Sequence, residues 1–473
     1  MLLVLQQMEM DSLQKLQAFS NDESECSGDR MCRLLESLEI GDTVAHEYAR
    51  TNQHEALRAL LEPLDEDNRV RVIISQANDR GETVMHIAGQ NVDTAACIMS
   101  MVTKEENKFK ILIPTDGQSV NTVMGVQDVN CLKVLFAGLS EQSAYNVLVQ
   151  RNTVEATSFH VAADIYPWQV TEFYLNTVSE SKHIELLNMA NRVGGTALMI
   201  AVENGQLEYI YGLWTVLSDE AKLAVLTCHN RVGGTAVMIA SEKNNVGAMK
   251  ALLGPLTKDQ RLKVLDEQNF KGGTALMIAA EKGFTQMAEC IINLLDGRDR
   301  FNHLSKKRNE MGATALMVAA ERKCSDVIRA ILESVDDEWK KLATEDKNQV
   351  NANAIHLAAI SGDDDAINQI LRRFSQEELS TILRLTDQEG RTVLHYAALT
   401  YLTSGYAMAS AGDLPENLVK KNLENVEKVK SYIPKSGRKS LEMMKDNQGR
   451  SADTVARGGV QSKKSIGIGW TSR

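Results

Sequence analysis

Residues Asn191–Gly205 read NRVGGTALMIAVENG, and residues Asn230–Asn244 read NRVGGTAVMIASEKN, 39 residues further on. Further copies lie outward from this pair. Downstream stand GGTALMIAAEKG from Gly272, GATALMVAAERK from Gly312, NANAIHLAAISG from Asn351 and GRTVLHYAALTY from Gly390. Upstream, DTVAHEYAR starts at Asp42, ETVMHIAGQ at Glu82, NTVMGVQDV at Asn121 and ATSFHVAAD at Ala156. The threonine or its stand-in falls at Thr43, Thr83, Thr122, Thr157, Thr196, Thr235, Thr274, Thr314, Asn353 and Thr392, at intervals of 40, 39, 35, 39, 39, 39, 40, 39 and 39. A fixed period of this size specifies stacked supersecondary units, each burying a face against its neighbours.

The chemistry of one copy predicts its structure. The polar, glycine-bearing run before each threonine (NRVGG, NFKGG, DQEGR) supplies residues that tolerate a tight turn. The threonine then caps a short helix of small apolar residues. A second helix follows, with Met287, Ile291, Leu294 and Leu295 at helical spacing in one copy. Most copies add a third piece, LSDEAKLAVL at Leu217, LTKDQRLKVL at Leu256 and FSQEELSTIL at Phe374, with Gln260 and Glu378 at capping-box positions. The expected unit is turn, helix, helix and short helix, and the fold class is all-α. Only 6 prolines and 5% aromatic residues also disfavour a strand-rich sandwich or barrel.

The pattern resembles the ankyrin repeat, whose D-x-x-G-x-T-P-L-H-x-A-A signature is matched by DQEGRTVLHYAA at Asp387 and more loosely by the other copies. The resemblance covers Glu39 to Ala398, with a last copy at DNQGRSADTVARGG from Asp446. The period of 39 exceeds that family's roughly 33, which the extra capped helix explains. Proline never follows the threonine, and methionine replaces the motif histidine at Met199, Met238, Met277 and Met317. The copy at Thr122 lacks the histidine and both alanines. Long units with an L-S-x-E-E type helix are similar to ankyrin proteins of intracellular bacteria, a resemblance that implies delivery of an effector into a host cell.

Composition narrows the function. The net charge of −11 is uneven: residues 413–473 carry 13 Lys/Arg against 7 Asp/Glu, leaving −17 for the rest. An acidic body does not suit a nucleic-acid binder. No stretch approaches the roughly 20 apolar residues needed to span a bilayer, and the opening MLLVLQQMEM lacks the basic flank of a secretory signal. Seven scattered cysteines without a C-x-x-C pair argue against a disulfide framework or zinc site and fit a reducing, cytoplasmic compartment.

Residues with chemical potential all occur in register with the repeat. His46, His86, His160, His356 and His395 share one repeat position, so at least one stacking distance separates any two and they cannot share a metal; the resemblance assigns them bridging hydrogen bonds between units. The methionines at that position fit as flexible apolar packing. No Walker, H-E-x-x-H, EF-hand or G-x-S-x-G motif is present. Asp363, Asp364 and Asp365 suit a helix start. No catalytic residue, cofactor or metal is expected.

What remains is a surface. The resemblance implies that turn tips and first-helix ends line a concave face that binds a partner protein. By register these residues are Arg192, Val193, Glu203 and Asn204; Arg231, Val232, Glu242 and Lys243; Phe270, Lys271, Glu281 and Lys282; Glu310, Met311, Glu321 and Arg322; and Gln349, Val350, Gln388 and Glu389. Phe270 and Met311 are the apolar tips that would serve as anchors.

The expected organisation is a helical cap over 1–36, about ten ankyrin-type units over 37–400, a helical insertion over 401–440, a degenerate last repeat or cap over 441–460 and a basic tail over 461–473. The insertion's amphipathic run from Glu416 is expected to turn Val419, Leu423 and Val426 inward. Together these make a monomeric solenoid on the order of 90 to 100 Å long, at roughly 8 to 10 Å per stacked helix pair. Its expected role is a protein-protein interaction module or scaffold. The alternative is an enzyme or modification factor with activity in the terminal regions and the repeats as substrate-recognition platform.

Overall fold

A computed structural model describes residues 43–75, 81–113, 121–336, 339–399 and 416–458. The expected leader 1–36, the tail 461–473 and residues 401–415 of the expected insertion lie outside the described residues. The chain divides into two compact bodies, residues up to 192 and residues from 193 onward. Both are built from helices, and among the described residues the only β pairing is an isolated bridge between Lys445 and Ser451.

One repeat of the second body shows how the sequence makes the unit. Thr274 stands in an extended conformation and its hydroxyl accepts the Met277 N–H at 3.3 Å, which starts the first helix, Ala275–Lys282. The second helix, Thr285–Leu294, buries Met287, Ala288, Ile291 and Ile292, a spacing that forms one apolar stripe. The third helix is Gly297–Lys306. First helices pack on first helices of neighbouring repeats and second helices on second helices, so the stripe is covered on both sides. Met199, Met238, Met277 and Met317 are all buried between successive first helices.

Where histidine is kept, it ties repeats together. The Thr43, Thr157 and Thr392 backbone N–H groups donate to Nδ1 of His46, His160 and His395. This fixes the tautomer and leaves Nε2–H of His46 to donate to the Glu82 carbonyl at 3.1 Å in the next repeat. In the second body the His356 Nε2 pairs with the Leu385 carbonyl at 3.0 Å and the His395 Nε2 with that of Arg450 at 2.9 Å.

The expected third helix is present and coupled to its neighbours. In the first body Glu66 accepts from the Thr103 hydroxyl (2.6 Å) and the Lys104 N–H (2.9 Å), at the start of the next third helix, Glu105–Leu112. Glu105 does the same for the Ser140 N–H (2.8 Å) and the Ser143 hydroxyl (2.6 Å), and Glu141 for the Ser179 N–H (2.9 Å). Each acidic first-turn residue therefore helps cap the following third helix. These bonds hold the Glu66 and Glu105 carboxyls at about 2, the hydroxyls of Thr103 and of Ser140 contributing most.

The copy at Thr122 departs from the rest. Its first helix is a single 3-10 turn, Thr122–Gly125. The carbonyls of Val123 and Met124 take phenol hydroxyls instead, from Tyr174 and Tyr166, each at 3.0 Å. Tyr174 also packs edge-on against Phe159, within a cluster that includes Phe136 and Phe173. Aromatic bulk occupies volume that the motif alanines fill elsewhere with a helix.

After Ala398 the chain resumes with helix Glu416–Ser431, then Lys435–Glu442. The first of these packs on Val393–Ala397 and on the last helix, Ala452–Gly458, where other repeats place their second helix. The Asn425 side chain donates to the carbonyls of Ala359 (3.1 Å) and Ala397 (2.9 Å). The face turned inward is Asn422, Asn425, Val426 and Val429; Val419 and Leu423, expected inside, are half-exposed. The two buried amides shift the helix's buried stripe away from the purely apolar one.

Candidate interaction surface

Six repeats of the second body enter their first helix through turns built alike, as does the repeat at Asn152 in the first. In the turn at 230–234 the Asn230 Oδ1 accepts the N–H groups of Val232 (3.0 Å) and Gly234 (2.8 Å). Asn269, Asn309 and Asn348 do the same for their turns, as do Asp387 and Asp446. The two residues after this Asn or Asp form the tip, and adjacent tips are joined by backbone. Phe270 N–H donates to the Val232 carbonyl (3.2 Å), Glu310 to Lys271 (2.8 Å), Gln349 to Met311 (3.0 Å), Gln388 to Val350 (3.0 Å) and Asn447 to Glu389 (2.8 Å). In the first body Arg192 donates to Val154 at 3.1 Å.

Close approach explains the glycines. At Gly233, φ is +77° and a Cβ would lie 2.5 Å from the Phe270 nitrogen and 2.7 Å from its ring. At Gly194, φ is +81° and a Cβ would meet the Arg231 nitrogen at 2.4 Å. Each tip is nested into the one before it, so the row is rigid.

Of the residues expected on this surface, Arg192, Val193, Glu203, Asn204, Arg231, Val232, Glu242, Lys243, Phe270, Lys271, Lys282, Glu310, Gln349 and Gln388 are exposed. Met311, Glu281, Glu321, Arg322, Val350 and Glu389 are half-buried, which makes Met311 a lesser anchor than expected. The Phe270 ring lies over Gly233 yet stays 74% exposed, beside Val232 at 68% and Val193 at 70%.

The first-helix ends carry a staggered ladder of charge that the sequence reading did not foresee. Lys243 pairs with Glu203 of the preceding repeat (2.7 Å), Lys282 with Glu242 (3.7 Å) and Arg322 with Glu281 (2.9 Å). Glu203 raises the Lys243 ammonium above its usual range. Burial pushes the Glu281 and Glu321 carboxyls up, against the opposing pull of Arg322. The signal lay in the register: the cation sits one place further along its repeat than the acid does.

Other surface features stand apart. Tyr211 and Met443 are exposed, and an open groove of about 790 Å³ runs along helix Glu416–Ser431, with Val419 and Leu423 among its lining residues. Among the described residues no group of three or more His, Cys, Asp or Glu could hold a metal ion. No described helix is long and apolar enough to cross a membrane. Burial pushes the thiols of Cys97, Cys131, Cys228, Cys290 and Cys324 up, away from reactivity.

Among curated proteins none matches the chain. Solved structures similar to it include EF0377, an ankyrin repeat protein, at 17% identity over 48% of this chain and 91% of that one, with a TM-score of 0.32. Another is the ankyrin repeat domain of Bcl-3, described as a unique member of the IkappaB protein family, at 18% identity over 62% of this chain and all of that one, with a TM-score of 0.37. The family model for ankyrin repeats (3 copies) matches residues 237–341. Residues 237–341 thus match ankyrin repeats, and the same capped unit recurs on both sides of them.

Proposed function

We propose that this protein recognises another protein through its turn tips and the adjoining first-helix ends. One observation carries this. The tips hold large apolar side chains, Val193, Val232 and Phe270, outward on a backbone that neighbouring tips fix in place. Folding alone would bury such groups, whereas an anchor must be exposed before binding. A pre-formed row also loses little conformational freedom on association. The ion-pair ladder beside it keeps the first-helix ends in one arrangement, which supports a fixed interface.

The test is quantitative affinity capture with the intact chain beside a variant carrying Arg231→Glu, Phe270→Ala, Lys271→Glu and Met311→Ala, matched for folding by circular dichroism. A partner kept by the first and lost by the second is the expected result. Equal retention by both would remove the tips from consideration.

A further inference from the structure

Away from the tip row, the last described repeat leaves an apolar stripe half-exposed. Val419 and Leu423 line the groove on helix Glu416–Ser431, while Asn422, Asn425, Val426 and Val429 of the same helix pack into the array. A terminal unit normally turns a polar face outward, and this one keeps apolar residues there. Charge indicates what would cover them. Two charged residues of the groove are already paired, Lys428 with Asp364 of the preceding repeat (2.9 Å) and Glu427 with Lys430 (2.8 Å). Glu416 and Glu424 are exposed beside the apolar pair and make no ion pair with a described residue, and Lys420 between them balances only one. The occupant must therefore bring apolar groups and cations.

Such a segment follows the last helix. Residues 459–473, GVQSKKSIGIGWTSR, lie outside the described residues and contain Lys463, Lys464 and Arg473 without an acid. Ile466, Ile468 and Trp470 alternate with glycine, so an extended backbone would put all three on one face and could approach a helix closely. Residues 400–415, which lead into the groove helix, carry Asp413 and no cation, which suits them poorly to an acidic margin. Reach is sufficient. Asp453, near the start of Ala452–Gly458, stands 3.5 Å from Lys430 of the groove helix. At 1.5 Å per residue, Lys430 to Leu423 spans about 10 Å and Asp453 to Gly458 about 8 Å; with about 10 Å between packed helices, Gly458 lies within about 30 Å of Leu423 whichever way the helices run. Trp470, twelve residues beyond Gly458, can reach about 40 Å. We propose that Lys463–Trp470 of this chain folds back onto the groove, with Ile466, Ile468 and Trp470 covering Val419 and Leu423 and the two lysines facing Glu416 and Glu424.

Two experiments test this. In the intact chain, Lys463→Glu with Lys464→Glu and Trp470→Ser should speed hydrogen exchange of Glu416–Ser431 by about five-fold or more, and unchanged exchange overturns the proposal. The second measures fluorescence anisotropy of a labelled peptide of residues 459–473 with the intact chain and with a chain ended after Gly458, matched for folding by circular dichroism. The peptide should bind the shortened chain at least about ten-fold more tightly than the intact one, whose own segment competes at high effective concentration. In the shortened chain, Leu423→Asp and, separately, Glu416→Lys with Glu424→Lys should each weaken binding by about ten-fold or more, while Phe270→Ala, in the tip row, leaves it unchanged. No binding to the shortened chain up to about 1 mM, equal binding to both forms, or indifference to both groove variants overturns the proposal. A light-scattering mass that doubles with concentration for the intact chain but not for the shortened one would place the segment on a second copy, and overturns it likewise.

Discussion

Removing Arg391 should destabilise the second body strongly, and removing Asp387 with it should restore much of the loss. Asp387 is 6% exposed and Arg391 2%. One carboxylate oxygen accepts the N–H groups of Glu389 (2.9 Å) and Arg391 (2.8 Å). The other accepts Arg391 Nε (2.7 Å), Arg391 Nη2 (2.6 Å) and the Tyr396 hydroxyl (3.0 Å). The guanidinium carbon lies 5.5 Å from the Tyr396 ring centroid. Arg391→Ala leaves a buried carboxylate with hydrogen bonds but no cation, which costs about 3 to 5 kcal/mol. Asp387→Asn strands the guanidinium at a similar cost. The repeats themselves supply the control. Where the turn opens with asparagine, at Asn230, Asn269, Asn309 and Asn348, the residue before the cap is Gly234, Gly273, Ala313 or Ala352, and where it opens with aspartate it is arginine, as again in Asp446 and Arg450. Asp387→Asn with Arg391→Ala recreates the neutral pair, keeps both backbone bonds, and leaves mainly a cavity, at about 1 to 3 kcal/mol. Urea unfolding followed by circular dichroism, with hydrogen exchange of residues 387–399, measures the cycle. A double variant as unstable as the sum of the singles would refute the coupling.

His356→Met places at this position the residue used in four other repeats. In the folded protein burial holds His356 at about 4, below 6.5, so its contribution is complete above pH 6.5 and is lost as pH falls toward 4; the variant should show a flatter urea midpoint between pH 7 and 5. Gly233→Ala should cost about 1 to 3 kcal/mol and weaken tip-dependent binding, because the new Cβ displaces the Phe270 backbone; a normal melting temperature in that variant would contradict the packing. Glu66 and Glu105 sit at about 2 in the folded state against 4.5 in a free chain, so their stabilisation holds above pH 4.5 and fades as pH falls toward 2. Glu66→Gln with Glu105→Gln should remove part of that acid dependence, read by ellipticity from pH 5 to 2, and an unchanged acid limb would show that these exposed bonds contribute nothing measurable.

The repeat was legible in the sequence because its punctuation is local. A capping threonine, a turn glycine and a serine-led third helix each act on residues within a few positions, so the chain order displays them. The histidine bridges were legible through family resemblance. The 3-10 turn at Thr122–Gly125 was not, since its replacement for a helix comes from Tyr166 and Tyr174, some 40 or 50 positions away. The pairing of Lys243 with Glu203 needed the stacking geometry as well as the period. The inward face of Glu416–Ser431 was misjudged because apolar spacing gives no weight to a buried amide, and Asn425 is held inside by two carbonyls that only the packed neighbours provide.

The nested turns separate what must stay constant from what can vary. Asn or Asp, the positive-φ residue and the cap fix the bend, and the bonds between tips run from the N–H of the first tip residue to the carbonyl of the second in the preceding turn. The backbone bonds make no demand on the side chains at those two places, although Gln349, Gln388 and Asn447 add side-chain amide bonds to the carbonyls of Glu310, Gln349 and Gln388. Successive turns accordingly read Arg-Val, Phe-Lys, Glu-Met, Gln-Val and Gln-Glu from 231 to 389 without a change in backbone bonding. Proline alone is refused at the first place, for want of an N–H. The chain thus works as movable type: pairs of letters can be exchanged between turns, and a new surface composed, while the frame that holds them is left unaltered.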